Sequence, residues 1–132
     1  MKKTVILFFV CMALASAAIA QSQQEENKAI IERFRIAYID GDLNTVAEIV
    51  SKEVQFFFFG EYSYGYDGLI NKMKEKQGTT DKLDIDEMVA EGNKVAITWT
   101  AHFTNAVYKG MTLAVLEDGK VVEYWEYYRK TE

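Results

Sequence analysis

The chain has 132 residues, with 20 acidic and 15 basic side chains and one cysteine, Cys11. This length accommodates one domain with a single hydrophobic core. The net charge of −5 and the lack of a basic run argue against nucleic acid and anionic lipid as partners.

Residues 1–20 have the pattern of a secretory signal peptide. Lys2 and Lys3 form a basic start, Thr4–Leu14 is apolar, and Ala18-Ile19-Ala20 is a small-x-small cleavage site. The apolar run is shorter than the roughly 20 residues that a membrane-spanning helix needs. We therefore predict export to the periplasm or the exterior, with no membrane attachment after cleavage. The domain of residues 21–132 then has no cysteine, which rules out a disulfide, a thiolate nucleophile and a cysteine metal site within it.

Helical spacing of apolar residues and cap residues predict three helices. Apolar residues recur at intervals of three and four from Lys28 onwards, and Gly41 ends that helix. Asp42 is a suitable N-cap for the second helix. Asp67 is an N-cap candidate for a third helix over Gly68–Lys76.

Five strands are predicted, four of them in two hairpins. The Gly92-Asn93 and Asp118-Gly119 dipeptides are typical of tight hairpin turns, because these residues tolerate positive φ. The predicted strands are Val54–Phe59, Leu83–Glu91, Lys94–Thr104, Met111–Glu117 and Lys120–Arg129, with Gly60–Gly68 as a loop and Gln77–Lys82 as a polar linker. This order predicts an α+β fold, with three helices gathered on one face of a mostly antiparallel sheet.

The two turns also predict which side chains share a face of the sheet. Two-residue turns pair Glu91 with Lys94 and Glu117 with Lys120, and residues opposite each other share a face. One face then carries Thr98, Thr100, His102, Tyr124 and Glu126, and the other Val95, Ile97, Trp99, Ala101, Phe103, Val121, Trp125 and Tyr127. Both faces are apolar, so we expect the helices to cover one and a second copy of the chain to cover the other.

Several short motifs occur in an order and spacing that resemble one superfamily. They are Phe34…Tyr38…Gly41-Asp42-Leu43, Val54-x-Phe56, Asp67-Gly68-Leu69-Ile70, Glu91-Gly92-Asn93-Lys94-Val95-Ala96-Ile97-x-Trp99 and Glu117-Asp118-Gly119-Lys120 through Tyr128. The chain thus resembles the NTF2-like superfamily and, within it, the SnoaL-like proteins. That resemblance implies a cone-shaped curved sheet closed by helices, which dimerises through the outer sheet face with Trp99 and Trp125. It places inside the cone Phe34, Tyr38, Phe57, Phe59, Thr98, Thr100, His102, Tyr124, Glu126 and Tyr128.

Ketosteroid isomerases, which are similar in this fold, use three polar groups that this chain lacks. They hold an oxyanion with a tyrosine and an aspartic acid and move a proton with an aspartate. Those positions fall on Phe34, near Phe57, and at Met111 or Thr112, so the resemblance does not extend to that chemistry.

Glu126 and His102 are the remaining candidates for catalysis. SnoaL-like cyclases also resemble this chain in having an acidic residue in the last strand, and a carboxyl group enclosed by rings can exchange protons near neutral pH. The alternative is that Glu126 supports the core through tyrosine hydroxyls and that His102 is a core or rim residue. A metal site is not expected, because the sequence has no second histidine.

The sequence therefore predicts an exported dimeric domain that binds a small hydrophobic or aromatic ligand without a cofactor. Two alternatives stay open: a cyclase-like or isomerase-like enzyme that uses Glu126 and His102, and an interaction module whose own rings fill the pocket.

Overall fold

A computed structural model of the chain describes residues 2–59, 62–76 and 80–131. Over these residues the chain forms three helices and six strands in one sheet. In chain order they are α1 (Lys2–Asp40), α2 (Leu43–Ile49), β1 (Val50–Phe58), β2 (Tyr62–Tyr64), α3 (Tyr66–Lys76), β3 (Thr80–Glu91), β4 (Lys94–Phe103), β5 (Ala106–Glu117) and β6 (Lys120–Lys130).

The sheet has the strand order β2-β1-β6-β5-β4-β3. Every neighbouring pair is antiparallel except β1 and β6, which run parallel. The helices pack on one face of this curved sheet and bury a core of aliphatic and aromatic side chains against it. The predicted α+β architecture is confirmed. In the part of the chain that is described, no helix is long and apolar enough to cross a membrane.

The caps around Gly41 act as the sequence predicts. α1 ends at Asp40, and Gly41 has a φ of 70°, a value that favours glycine. The Asp42 carboxylate then accepts hydrogen bonds from the backbone N–H groups of Asn44 and Thr45, each at 3.1 Å. By contrast, α3 begins at Tyr66, so Asp67 lies in its first turn instead of capping it.

Part of the predicted loop is a short strand. Tyr62–Tyr64 pairs with β1, because its rings stack on those of β1: Tyr64 on Phe56 at 5.3 Å and Tyr62 on Phe58 at 5.1 Å. β3 likewise begins earlier than predicted, at Thr80. Gly60, Glu61 and residues 77–79 of the predicted loop and linker lie outside the described residues.

Both hairpin turns have the predicted register, but irregularities farther along the strands change the faces beyond them. Glu91 pairs with Lys94 and Glu117 with Lys120. Val115 of β5 then pairs with Glu123 and Leu116 with Val121, so β6 has one extra residue at Val122. In β3 the pairing shifts between Ile85 and Glu87. Because side chains alternate along a strand, one extra residue moves every later side chain to the other face.

The predicted assignment of faces is wrong for β4, which pairs with β5 without an irregularity, and right for the end of β6. Val95, Ile97, Trp99 and Ala101 of β4 are buried toward the helices, where Thr98 and His102 were expected. After the shift in β6, Tyr124 is buried on this inner face as well. Trp125 is on the outer face, as predicted, where it stacks on Phe57.

Candidate active and ligand-binding site

A cavity of about 570 Å³ opens between the C-terminal end of α1 and the inner face of the sheet. The turn between β4 and β5 forms part of its rim. Its wall is mostly aromatic and apolar, with one cation and one carboxylate. The lining residues are Arg35, Tyr38, Ile39, Phe58, Trp99, Ala101, Phe103, Thr104, Asn105, Ala106, Tyr108, Glu126 and Tyr128.

Arg35 and Glu126 supply the two charges of this cavity. Arg35 lies four residues after Ile31 and three before Tyr38, so helical spacing puts it on the buried face of α1. Glu126 reaches the inner face through the register shift in β6. Arg35 Nη1 lies 3.5 Å from Glu126 Oε1, and the two side chains are 5% and 12% exposed.

Two aromatic residues hold the guanidinium of Arg35. Nη1 donates a hydrogen bond to the Tyr124 hydroxyl at 2.9 Å, and Cζ lies 4.6 Å from the centre of the Trp99 ring. Burial lowers the pKa of Arg35, but the charges of Tyr124 and Glu126 and the hydrogen bond to Tyr124 outweigh it, so the pKa is raised. The cavity therefore keeps a permanent cation beside Glu126.

The phenols at the inner end of the cavity stay protonated at neutral pH. Burial raises the pKa of Tyr124 to about 12; Arg35 opposes this rise, and Glu126 adds to it. Burial, with Glu126 next in importance, also raises the pKa of Tyr38. Both residues can offer a hydrogen bond, and neither is a base under ordinary conditions.

Trp99 forms part of the cavity wall, so the prediction that it lies on the outer face is wrong. Its indole Nε1 donates to Thr112 Oγ1 at 3.0 Å, and Thr112 also hydrogen-bonds with Tyr124. Gly110 pairs with Trp99 across β4 and β5, and a Cβ at that position would overlap the indole ring. The glycine is what allows the ring to lie flat over the sheet.

The structure brings together five of the predicted site residues. Tyr38, Glu126 and Tyr128 line the cavity. Phe34 and Tyr124 lie behind it, with ring centres 5.2 Å apart in an edge-on contact.

The other five predicted site residues lie elsewhere. Thr98, Thr100 and His102 are on the outer side of β4: Thr100 Oγ1 donates to Asp86 Oδ2 at 2.9 Å, and His102 Nε2 lies 3.3 Å from Asp84 Oδ2. Phe57 stacks on Trp125 at 4.0 Å, and Phe59, with a φ of 53°, follows the end of β1 and is partly exposed. His102 is therefore not a partner of Glu126, because it projects from the opposite face of the sheet.

Arg35 is the main residue of this site that the sequence reasoning missed. Its signal is a charged residue inside the apolar stripe of α1, between Ile31 and Tyr38. A cation at such a position is a candidate for a buried pair, since arginine is almost never fully buried without one. Trp99 and Phe103 were missed because the opposite face of β4 was predicted to point inward, although β4 alternates regularly throughout. Phe58 was missed because the alternating residues Phe57 and Phe59 were predicted to line the interior.

The residues present suit binding and proton exchange. Within the described residues no three His, Cys, Asp or Glu side chains are grouped closely enough to hold a metal ion. The charged groups of the cavity are one cation and one carboxylate, and the tyrosine phenols, Thr104 and Asn105 add neutral polar groups to an aromatic wall. Such a set can orient a small molecule and move a proton through Glu126.

Solved structures similar to this one share its fold. An LEH-like epoxide hydrolase of M. tuberculosis has a TM-score of 0.71 and 17% identity, covering 81% of this chain and 85% of that one. A Kribbella flavida protein described as a ketosteroid isomerase has a TM-score of 0.74 and 14% identity, covering 83% and 82%. IdmH of Streptomyces antibioticus, described as a polyketide cyclase, has a TM-score of 0.67 and 17% identity, covering 77% and 91%. These identities support the fold alone.

The sequence comparisons agree with the fold. No curated protein sequence matches the chain. The family profile of the SnoaL-like domain, however, matches residues 31–124, which contain both Arg35 and most of the sheet. This chain belongs to the SnoaL-like domain family.

Proposed function

We propose that this protein binds a small apolar or aromatic molecule in the cavity between α1 and the sheet. The observation that carries the proposal is an aromatic-walled space of about 570 Å³ with a single buried ion pair in its wall. Ligand pockets of proteins have about 300–1,000 Å³, mostly apolar walls and a few polar groups. The alternative of a pocket filled by its own rings fits this volume less well.

Thermal unfolding with 2-naphthol as the probe tests this proposal. The wild-type midpoint should rise with probe concentration, because a ligand that binds only the folded state stabilises it by mass action. Ala106→Trp fills the cavity from its wall and should abolish the rise. Ala47→Trp, at an exposed position of α2, is the matched control and should keep it. An equal rise in both variants would place the probe outside the cavity.

A second candidate function is acid–base catalysis by Glu126 without a cofactor. It is favoured by the position of the carboxylate, which lines the cavity with Arg35 beside it. The proteins of similar fold include an epoxide hydrolase and proteins described as an isomerase and a cyclase. If the protein is an enzyme, Glu126→Gln should lose turnover while it still binds the ligand; unchanged turnover would exclude Glu126 from the chemistry.

We also propose that the chain dimerises through the outer face of the sheet. This face exposes Met111, Leu113 and Tyr127 next to the stacked pair of Phe57 and Trp125. Exposed apolar patches of this kind mark interaction surfaces, and a two-fold dimer covers the same patch on both copies. Sedimentation equilibrium should give the mass of two chains; one chain at all concentrations would exclude the dimer.

Export is proposed from the signal peptide pattern of residues 1–20. α1 continues through Ala20, but the side chains of residues 16–23 are exposed, and the first buried residue from position 16 onward, where side chains are described, is Asn27. Cleavage after Ala20 would thus leave the described core contacts intact. Intact-mass measurement after expression in a bacterium should show a chain that begins at Gln21, and a full-length chain in the cytoplasm would contradict export.

A further inference from the structure

The partners of Arg35 do not account for all of its donors. Nη1 has the Tyr124 hydroxyl at 2.9 Å and Glu126 at 3.5 Å, and the Trp99 ring covers one face of the guanidinium. Its Nε atom is buried and has no hydrogen-bond partner among the described residues. A buried donor without an acceptor is costly and rare in folded proteins, so this one points to a missing acceptor atom.

A second space of about 10 Å³ lies directly behind the main cavity. Arg35, Tyr38, Phe58 and Glu126 line both spaces, and Tyr64 and Tyr124 add their side chains to the smaller one. This volume holds about one oxygen atom of the size of a water, and such an oxygen needs two to four polar partners. The polar side chains around the space provide them.

The charges of Arg35 and Glu126 determine which kind of oxygen atom can occupy the smaller space. Glu126 balances Arg35, so the inner end of the cavity has no net charge, and the chain as a whole carries −5. An anionic group next to Arg35 would also lie next to the Glu126 carboxylate and would be repelled by it. A hydroxyl group is neutral, accepts from Arg35 and donates to Glu126.

We propose that the inner end of the cavity is a site for one neutral hydroxyl oxygen, supplied by an aromatic or apolar ligand that is an alcohol or a phenol. The inference rests on the proposed ligand-binding function and names the class of its ligand. Water has the same chemistry and is the competing source of this oxygen. Arg35 and Glu126 are then the residues that determine specificity, and the aromatic wall holds the rest of the molecule.

Titration calorimetry at pH 7 with naphthalene, 2-naphthol and 2-naphthoate tests whether the preferred ligand carries a neutral hydroxyl group. In the wild type, 2-naphthol should bind at least about tenfold more tightly than naphthalene, as expected for a hydrogen bond to a charged group. It should also bind at least about tenfold more tightly than 2-naphthoate. Glu126→Gln should reverse the order of 2-naphthol and 2-naphthoate, since Arg35 loses its balancing charge. Glu117→Gln, the same change at an exposed site, should leave each affinity within about twofold.

The outcomes separate this inference from the proposed function. Equal affinities of naphthalene and 2-naphthol in the wild type would mean that water keeps the oxygen site, and would overturn the inference while binding itself stands. Tightest binding of 2-naphthoate in the wild type would overturn it in favour of an anion site. If none of the three probes binds, the proposed function fails. If the Glu126→Gln variant does not fold, the order of the three probe affinities in the wild type still decides whether the inference holds.

Discussion

Arg35 and Glu126 approach each other to 3.5 Å from the first helix and the last strand, and both are almost fully buried. Ion pairs of this kind are poor contributors to stability, because both charges lose their hydration, and apolar replacements of similar volume are often as stable. Their position in the wall of an aromatic cavity therefore favours a role in binding over a role in folding.

Removal of Arg35 alone should nevertheless destabilise the fold. Arg35→Met leaves the Glu126 carboxylate buried without its partner, which costs about 3 kcal/mol in comparable cases. Urea unfolding measures the loss. Arg33→Met is the matched control: its ion pair with Glu48 is exposed, so the loss should be under about 1 kcal/mol. Equal losses in both variants would contradict the buried pair.

The double variant Arg35→Met with Glu126→Gln extends this test. If the two residues interact as the structure shows, the double variant should lose less stability than the two single variants added together. If the summed losses of the two single variants equal the loss of the double variant within about 0.5 kcal/mol, the two residues do not interact.

Stability should fall in alkaline solution. The pKa of Tyr124 is raised from 10.0 to about 12 by burial, so the folded state holds this proton after the unfolded state has released it. The stabilisation is complete below pH 10 and is lost as the pH rises from 10 to 12, about 3 kcal/mol in total. Urea unfolding at pH 8, 10 and 11 measures this slope. Tyr124→Phe should have a shallower slope than the wild type, and parallel slopes would contradict the assignment.

Gly110 should resist substitution because the Trp99 indole covers it. Gly110→Ala forces the ring away from the sheet and should cost about 1–3 kcal/mol, as overpacking does. The change should also shift the tryptophan fluorescence and weaken binding of 2-naphthol. Gly65→Ala is the control, since a Cβ there meets only ordinary contacts at 3.5 Å or more. A stable Gly110→Ala protein with unchanged fluorescence would contradict the position of Trp99.

If the chain dimerises through the outer face of the sheet, a charge introduced on that face should produce a monomer. Leu113→Lys adds a charge to the centre of the apolar patch and should shift sedimentation from two chains to one, without a loss of 2-naphthol binding. Ile36→Lys replaces a residue of α1 that is more exposed than Leu113, at 53% against 39%, and should remain dimeric. Dimers of the Leu113→Lys protein would place the interface elsewhere.

Local signals in the sequence predicted the fold well. Gly41 and Asp42 mark the end of α1 and the cap of α2, and the two turns at Gly92 and Asp118 have the predicted register. The interior of the cavity was harder to predict, because alternation along a strand is lost at an irregularity. The register shift opposite Val115 and Leu116 brings Glu126 inward. The prediction also placed Glu126 inside, but it did so from uninterrupted pairing after the turn. β4 has the orientation opposite to the predicted one, so His102 lies on the outer face.

Arg35 could not be assigned from the sequence for a related reason. Its role depends on a contact with Tyr124, 89 positions along the chain, and on Trp99 being inside. Helical spacing puts Arg35 on the buried face, but only the pairing of β4, β5 and β6 shows which groups meet it there.

A crystal structure of the protein with 2-naphthol bound tests the central claim most directly. We expect the naphthalene rings against Trp99 and Tyr128 inside the cavity, with the hydroxyl oxygen within about 3 Å of both Arg35 and Glu126. A probe bound on the outer face of the sheet, or in the cavity with its oxygen directed to the solvent, would contradict the claim.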